Sequence, residues 1–557
     1  MEKTKKTMVT KLTLFLIFNT AVIRDKIHKR LKLYHFKVKK LKIKRKIGKL
    51  IHSKQSISQA VVLITSLTLL SKGFGFVRDM IVAYYFGTGK IMDAFVSSQT
   101  PLNFTSSVIM GAVATVFIPL FIRVRKDKGE KESEHFSATV FYLSILAISS
   151  LVALMFVFPT QAVKLFFPGF SSDRLYLTAK FIRWMSLATL LTATTGFLNS
   201  LLRSERKFLA YPMVGLGFDF VVIGLLFATH KIGAASLAIA WTGGPLFMVM
   251  VLGFAERRYL NPFKVKRRMP EVKELLKMVA PMFFSSAFGM LNTIVDRTFA
   301  STLNVGAISA LMFARRISGA ATGVLGTPVM QATYPSISSY AVDENMESLS
   351  LTVKRAMKIL SFFLLPISFA LFPLAKGLTG VIFQHGNFTY RSTLLTYPPL
   401  IAAGISLFTT SYNGVLARVF YSFKDSKTPM IYGIIGIGIN ISLNFLFIHP
   451  LKQTGLALST SLSSFYFTLV MLISLRRRFK TWFFSASYFI RVVIASFVMV
   501  AGMYPIMFFV KGSVRYIVAT AVGGVIYLIM SKLLKILPKR FWRYLKFKKV
   551  PSSDVES

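Results

Sequence analysis

The stretch "LTLLSKGFGFVRDMIVAYYFG" at residues 67–87 has the composition of a membrane-spanning helix, yet it carries three charged side chains. A helix needs about 20 mostly apolar residues to cross the hydrocarbon core of a bilayer, and this run is long enough. A charge near the bilayer centre costs about 2.5–3.5 kcal/mol or more on insertion scales, and such residues usually mark a substrate pathway or pair with each other. Lys72, Arg78 and Asp79 therefore indicate a membrane helix whose charges have a function.

The composition of the whole chain is that of a membrane protein. Of its 557 residues, 54% are hydrophobic, and 69 Lys and Arg against 21 Asp and Glu give a net charge of +48. The basic residues cluster in short loops between apolar runs, which is typical of a polytopic membrane protein rather than of a nucleic-acid-binding one. The chain has no cysteine, which excludes disulfides, thiol catalysis and Cys-ligated metals.

Long apolar runs recur along the chain, and each is near the length of a membrane span. We therefore predict an all-α integral membrane protein with about fourteen transmembrane helices. The predicted spans lie near residues 57–84, 94–122, 135–158, 176–200, 211–229, 233–255, 275–300, 305–334, 355–373, 393–417, 429–449, 454–474, 486–509 and 514–535.

The loops between these spans alternate in charge, which predicts an orientation. "RVRKDKGEK" (123–131), "RSERK" (203–207) and "RRRFK" (476–480) are strongly basic and fall on one side of the membrane. Loops on the other side, such as "FGTGKIMD" (86–93) and "QHGNFTY" (384–390), are short or lightly charged. The positive-inside rule places the basic loops, and with them both termini, in the cytoplasm.

An internal repeat divides the membrane part of the chain. "VRDMIVAYYFGTGKIMDAF" from Val77 is similar to "VDRTFASTLNVGAISALMF" from Val295, and "NSLLRSERKFLAYPM" from Asn199 is similar to "NGVLARVFYSFKDSKTPM" from Asn413. Six spans per copy make the copies parallel repeats, as in several transporters whose substrate site lies between the halves. The predicted units are an N-lobe at 56–258, a C-lobe at 259–480 and two appended helices at 481–537.

The two ends of the chain lie outside these units. Residues 1–55 contain 18 Lys and Arg and only one short apolar segment. We predict that they form a basic cytoplasmic arm that lies on anionic lipid. Residues 538–557 are predicted to be a cytoplasmic tail.

Several segments carry the signature of a known family. "SKGFGFVRDMIVAYYFGTGKIMDAF" (71–95) resembles the MurJ/MviN pattern, and so does "VDRTFASTLNVGAISALMFARRISGAATGVLGTPVMQATYPSIS" (295–338). "VIFQHGNFT" (381–389) and "VLARVFYSFKDSKTP" (415–429) are similar to two further segments, and the resemblance covers about residues 56–535. It implies a lipid II flippase of the multidrug/oligosaccharidyl-lipid/polysaccharide exporter superfamily. Its expected features are two lobes, a cationic central cavity and a groove for a polyprenyl tail near the last two helices.

The resemblance also implies which residues bind the substrate. Arg78, Arg297 and Arg316 match basic family positions that face the cavity, and Lys72 stands where the family usually has Arg. Asp93 matches the family's Asp-Ala-Phe element and is expected to partner an Arg or to respond to protons. An anionic diphosphate needs fixed donors in place of water, and the planar fork of Arg suits phosphate oxygens.

For each of these residues a structural role is the alternative. A charged side chain in a span can pair with another helix or extend towards the membrane surface. Asp79 and Asp296 are expected to pair locally.

One departure from the family pattern affects the expected cargo. Where the family usually has two Arg and a Glu, this chain has Thr105, Ser106 and Met110, and Arg315 stands where many members carry an acid. The sequence therefore leaves two cargoes open. One is lipid II, and the other is a different polyprenyl-pyrophosphate-linked glycan, such as an O-antigen or exopolysaccharide precursor.

Other function classes find less support in the sequence. There is no Walker loop and no HExxH motif, so we expect neither an ATPase motor nor an enzyme, and no cofactor or metal. An ion gradient or the membrane potential is the expected driving force. A multidrug antiporter and a non-transporting scaffold remain alternatives. The expected location is the bacterial cytoplasmic (inner) membrane. The expected partners are undecaprenyl-pyrophosphate-linked glycan (lipid II) and anionic lipids, with cell-wall synthesis proteins as an open alternative and no nucleic acid.

Overall fold

The computed structural model describes residues 57–537 with the exception of residue 267, and this part of the chain is helical without a β-strand. The predicted all-α fold is confirmed. The predicted arm at 1–55 and tail at 538–557 lie outside the described residues. The helices are α1 (Ile57–Phe86), α2 (Lys90–Val157), α3 (Pro159–Phe166), α4 (Ser172–Ser204), α5 (Ala210–Thr229), α6 (Ala235–Met248), α7 (Pro270–Ser301), α8 (Ala307–Ala321), α9 (Thr327–Val342), α10 (Met346–Phe383), α11 (Tyr390–Ser422), α12 (Lys427–Phe479), α13 (Ala486–Phe509) and α14 (Val514–Leu533).

Two of these helices each cover two predicted spans. In α2 the run is broken only at Gly129 (φ 84°), and in α12 only at Lys452 (φ 50°, ψ −131°). Each break separates two predicted spans, so the loop predicted at 123–131 is almost entirely helical. Within the described residues, nine helices are long and apolar enough to cross a membrane. The count of fourteen crossings stays a prediction, and so do the unit boundaries.

The helices end at two faces of the molecule. The basic face carries the loops and helix ends at 123–134, 203–207, 254–266 and 476–480. The opposite face carries the turns at 87–89, 302–306 and 384–389. Gly87 (φ 55°) and Gly306 (φ 97°) occupy two of these turns in left-handed conformations that disfavour other residues.

The hydrophobic cores show how the lobes are joined. One core lies towards the opposite face and contains side chains of both lobes, among them Phe95 and Phe181 from the N-lobe and Phe313 and Phe383 from the C-lobe. Towards the basic face this shared core gives way to two separate ones. One belongs to α2, α4 and the start of α7. The other belongs to α9–α14. The lobes therefore share one core at the opposite face. Towards the basic face the N-lobe core, which includes the start of α7, is separate from the core of α9–α14.

A network of ion pairs fixes the basic face of the N-lobe. It joins α2, around its break at Gly129, to the connection between α6 and α7 and to the first turn of α7. The pairs include Lys128–Glu271 at 2.5 Å, Lys266–Glu132 at 2.6 Å, Lys207–Glu256 at 2.6 Å and Arg125–Glu205 at 3.1 Å.

Glu205 is the buried centre of this network. Burial by itself raises the pKa of its carboxyl, but bonds from Lys207 and Tyr259 and the nearby positive charges outweigh burial. The pKa of Glu205 therefore lies below its ordinary value, and the carboxylate stays ionised at neutral pH.

Candidate functional site

A cavity of about 860 Å³ lies on the basic-face side of the shared core. Its wall combines α1, α2, α4, α5, α6 and the region from α8 to the wide turn at 322–326. Among the lining residues described, four are basic and two are acidic, so the wall has a surplus of two positive charges. The charged lining residues are Lys72, Arg78, Asp79, Asp219, Arg315 and Arg316.

Arg78 is held firmly in this wall. Its Nη1 donates to Oδ1 of Asp219 at 2.8 Å, and its Nη2 donates to Oδ1 of Asp79 at 3.0 Å. The guanidinium carbon also lies 5.2 Å from the centre of the Trp241 ring. Only 11% of the side chain is exposed. Two carboxylates and an aromatic face therefore fix the orientation of this cation.

Arg316 and Arg315 are the accessible arginines of the cavity. The Nε of Arg316 lies 3.0 Å from Oδ2 of Asp79, and 45% of the side chain is exposed. Arg315 pairs with the buried carboxylate of Asp296, and 37% of its side chain is exposed. Each arginine therefore has one carboxylate partner, and part of its guanidinium faces the cavity.

Lys72 lies in the cavity wall against the wide turn at 322–326. Its side chain is exposed, and a Cβ added at Gly323 would fall 2.5 Å from Nζ of Lys72. Within residues 57–537, residue 267 aside, no carboxylate pairs with it. The absence of a side chain at Gly323 therefore leaves room for an amine that is free to bind an anion.

Arg297 lies beside the main cavity and not in it. It lines a second cavity of about 280 Å³, which it shares with Arg315 and Arg316. Its Nη1 donates to Oγ1 of Thr100 at 2.8 Å and to the carbonyl of Val96 at 3.2 Å. The side chain thus connects α7 of the C-lobe to α2 of the N-lobe, and the two cavities share two arginines.

The structure places Asp93 apart from both cavities. Its carboxylate is fully buried and accepts hydrogen bonds from the backbone N–H of Gly306 at 2.7 Å and from the N–H and Oγ of Ser309 at 2.9 and 2.7 Å. It therefore caps the start of α8 across the boundary between the lobes. In this conformation its partners are backbone and hydroxyl donors and not an arginine.

Asp79 and Asp296 only partly follow the expectation of local pairing. Asp79 binds its neighbour Arg78 but also Arg316 of the other lobe. Asp296 binds Arg315 and not its neighbour Arg297. It also accepts a bond of 2.8 Å from Oγ1 of Thr460. Each carboxylate therefore ties α8 to another helix.

Sequence reasoning missed Asp219, the second partner of Arg78. The signal was available, because an aspartate stands within the apolar span "GLGFDFVV" (215–222), where a charge is costly. Sequence reasoning also missed the uncharged polar wall that faces the cations. Its members are Gln99, Asn103, Thr189, Thr192, Thr195 and Tyr211.

The positions that lack the family's charges are used for packing. Thr105 and Ser106 are buried, and their hydroxyls donate to the carbonyls of Pro101 and Leu102 within α2. Met110 is buried in the N-lobe core. None of the three lines the cavity, so in this chain the cations come from α1 and α8 and not from α2.

Hydrogen bonds between the lobes close the cavity at the opposite face. We call Thr88, Asp93, Ser309, Asn387 and Ser392 the clasp. Asn387 donates from its backbone N–H to the carbonyl of Tyr84 at 2.8 Å, and Thr88 Oγ1 donates to Ser392 Oγ at 2.7 Å. Together with the shared core, the clasp shuts the opposite face while the cavity lies on the basic-face side.

Comparison with known proteins gives the family. The family model described as "Lipid II flippase MurJ" matches residues 82–544. The chain belongs to the lipid II flippase MurJ family. It is 27% identical over 413 residues to a probable lipid II flippase MurJ of Rickettsia prowazekii, which covers 73% of this chain and 81% of the relative. A probable MurJ of Thermotoga maritima is 26% identical over 471 residues, covering 84% and 95%. The predicted family is confirmed, and the chain is a multi-pass membrane protein.

Solved structures agree with this assignment. A structure of "Lipid II flippase MurJ, inward closed conformation" has a TM-score of 0.75 and 25% identity, and covers 87% of this chain and all of that one. An inward-facing multidrug resistance transporter of the MATE family has a TM-score of 0.61 at 13% identity, covering 75% and 98%. The second likeness shows a shared fold and nothing further.

Proposed function

We propose that this protein is a flippase that moves lipid II, the lipid-linked peptidoglycan precursor, from the basic-face leaflet to the opposite leaflet by alternating access. The observation that carries the proposal is the placement of the exposed parts of Arg315 and Arg316. They face a cavity that is closed at the opposite face, in a chain of this family.

The cations answer a physical requirement of this transport. A lipid-linked sugar diphosphate carries charges that cannot enter hydrocarbon without replacement of their water. Arginine offers paired N–H donors to phosphate oxygens, and lysine adds a mobile point charge. Lys72, Arg78, Arg315 and Arg316 provide both kinds of donor on one wall.

Asp79 is proposed to keep the site ready between transport cycles. It binds Arg78 and Arg316 together, one from each lobe. A phosphate that approaches Arg316 competes with Asp79 for that guanidinium, while Asp219 continues to hold Arg78 in place. Substrate binding would therefore loosen one connection between the lobes and leave the binding geometry of Arg78 intact.

The remaining features complete the proposal. The basic face lies in the cytoplasm with both termini, the membrane is the bacterial cytoplasmic membrane, and opening of the clasp releases cargo to the outer leaflet. An ion gradient or the membrane potential drives the cycle without a cofactor. The protein is proposed to be a transporter and not an enzyme. The names of the matched relatives do not favour a different lipid-linked glycan as cargo.

The test is rescue of bacteria depleted of their own lipid II flippase. Wild type, Arg78→Ala, Arg316→Ala and the control Arg355→Ala, which alters an exposed arginine of α10 near the basic face, would be expressed at equal levels. We expect growth and lipid II in the outer leaflet with wild type and the control, and loss of both with the cavity variants. A well-expressed wild type that fails to rescue would contradict the proposed cargo. Rescue by both cavity variants would contradict their role.

A further inference from the structure

The C-terminal part of the chain has cations at the opposite face without acidic residues to pair with them. Between residues 348 and 553 the only Asp or Glu is Asp425, which lies at the basic face with Arg478. Basic residues are usually scarce on the non-cytoplasmic side of a membrane protein. Lys376 of α10 and Arg515 of α14 nevertheless lie near that face.

These two cations lie beside tyrosine side chains. The ring of Tyr516 lies on Gly377, the residue that follows Lys376, and an added Cβ there would clash with the ring. Nη2 of Arg515 donates to the Tyr516 hydroxyl at 2.8 Å, and Nζ of Lys376 lies 5.2 Å from the centre of the Tyr390 ring. In the described part of the chain, Nε of Arg515 is buried and has no hydrogen-bond partner. Among the described residues, the cluster therefore has one donor without a partner, on Arg515, and two positive charges without a carboxylate beside them.

The surroundings of the cluster indicate where a ligand comes from. Lys376 is exposed on the outer surface of α10, seven residues before the helix ends at Phe383, which is about 10 Å along the axis at 1.5 Å per residue. Large apolar side chains are exposed on α10, α13 and α14, among them Phe372, Phe508 and Ile517. This surface faces lipid, so its ligand is anchored in the membrane.

We propose that Lys376 and Arg515, with the hydroxyls of Tyr390 and Tyr516, bind the phosphate group of a membrane lipid at the opposite face. Phosphate supplies the negative charge that the C-terminal part of the chain lacks, and its oxygens accept from ammonium, guanidinium and phenol donors at once. The lipid chains lie on the apolar surface of α10, α13 and α14. Two sources share this chemistry, an anionic glycerophospholipid and a prenyl diphosphate. The site itself does not depend on the proposed transport.

The test is photo-crosslinking of the full chain in lipid nanodiscs. Three lipids that carry the same photoreactive label on their acyl or prenyl chain would be compared. They are phosphatidylglycerol, a prenyl diphosphate and diacylglycerol, which has no phosphate. Crosslinks to residues 508–520 would be quantified by mass spectrometry at increasing lipid concentration. Lys376→Gln and Arg515→Gln should each weaken apparent affinity for the phosphate lipids about five-fold, and the double variant about 25-fold.

The control is Lys180→Gln, since Lys180 is an exposed lysine of α4 whose Nζ also lies 4.9 Å from an aromatic ring, that of Trp184. It should leave crosslinking at 508–520 unchanged, and unchanged diacylglycerol labelling in every variant would show an intact surface. Equal crosslinking of diacylglycerol and the phosphate lipids, or an unaltered apparent affinity of the double variant for the phosphate lipids, would overturn the proposal.

Equal affinity for both phosphate lipids would support a site for bulk anionic lipid. Preference for the prenyl diphosphate would support a release site for cargo. Because the assay measures binding alone, failure of transport would not affect its outcome.

Discussion

Replacement of Asp93 by Asn should open the clasp. The carboxylate accepts three hydrogen bonds from Gly306 and Ser309, all across the boundary between the lobes. An Asn side chain removes the charge and turns one acceptor into a donor that faces other donors. Loss of one charge-assisted bond at a buried site corresponds to about 2 kcal/mol, within the usual range of 1.5–3 kcal/mol. At about 1.4 kcal/mol per factor of ten, the open fraction should rise about 30-fold.

The absence of native cysteine makes this shift directly measurable. Ser392→Cys places one thiol at a buried clasp position, and its rate of reaction with a membrane-impermeant maleimide reports the open fraction. Asp173→Asn is the control, because Asp173 and Lys90 form an exposed pair on the same face within the N-lobe, which should contribute less than about 1 kcal/mol. An Asp93→Asn rate within two-fold of the parent would refute the assigned role of the clasp.

Three further results are expected. Arg316→Ala should weaken binding of labelled lipid II to the purified protein about 10- to 100-fold through loss of a charge-assisted phosphate contact, and Arg316→Lys should recover part of the affinity. Equal affinity of wild type and Arg316→Ala in a titration would contradict the site. Asp296→Asn should leave Arg315 without its carboxylate and lower the free energy of unfolding by about 2–3 kcal/mol, and an unchanged thermal midpoint in detergent would show that the pair is not stabilising. Because the pKa of Glu205 is depressed in the folded protein, its contribution is present above the ordinary value of 4.5 and is lost as pH falls through the lower folded value. The thermal midpoint of the wild type should therefore fall as the pH is lowered below about 4.5, and that of Glu205→Gln should fall less. Parallel curves of thermal midpoint against pH for the two proteins would contradict this assignment.

The sequence predicted the helices better than their interruptions. Apolar runs alone located α1 and the last two helices within a few residues, because the bilayer sets their length. The region at 123–131 was predicted as a loop from its charge. Its Arg, Lys and Glu residues are good helix formers, however, and only Gly129 breaks the run. Charge shows which face a segment occupies but not whether it is helical.

The site was predictable in its residue types and less so in its pairings. Lys72, Arg78 and Arg316, which the family resemblance implied, line one cavity, and their role in substrate binding stays a prediction. The position of Asp93 at the start of α8 depends on how two lobes meet, and no local pattern near Asp93 contains that information. The pairing of Arg78 with Asp219 likewise joins residues 141 positions apart. Such pairs arise from tertiary packing, which periodicity and composition do not encode.

The central claim is that the cavity cations carry a diphosphate-linked lipid across the membrane. The most direct test is transfer of fluorescent lipid II in proteoliposomes with an imposed membrane potential, scored by a membrane-impermeant quencher. We predict transfer well above that of protein-free liposomes with wild type, and background rates with Arg78→Ala and Arg316→Ala. Background transfer by folded wild type, or equal rates in wild type and both variants, would contradict the claim.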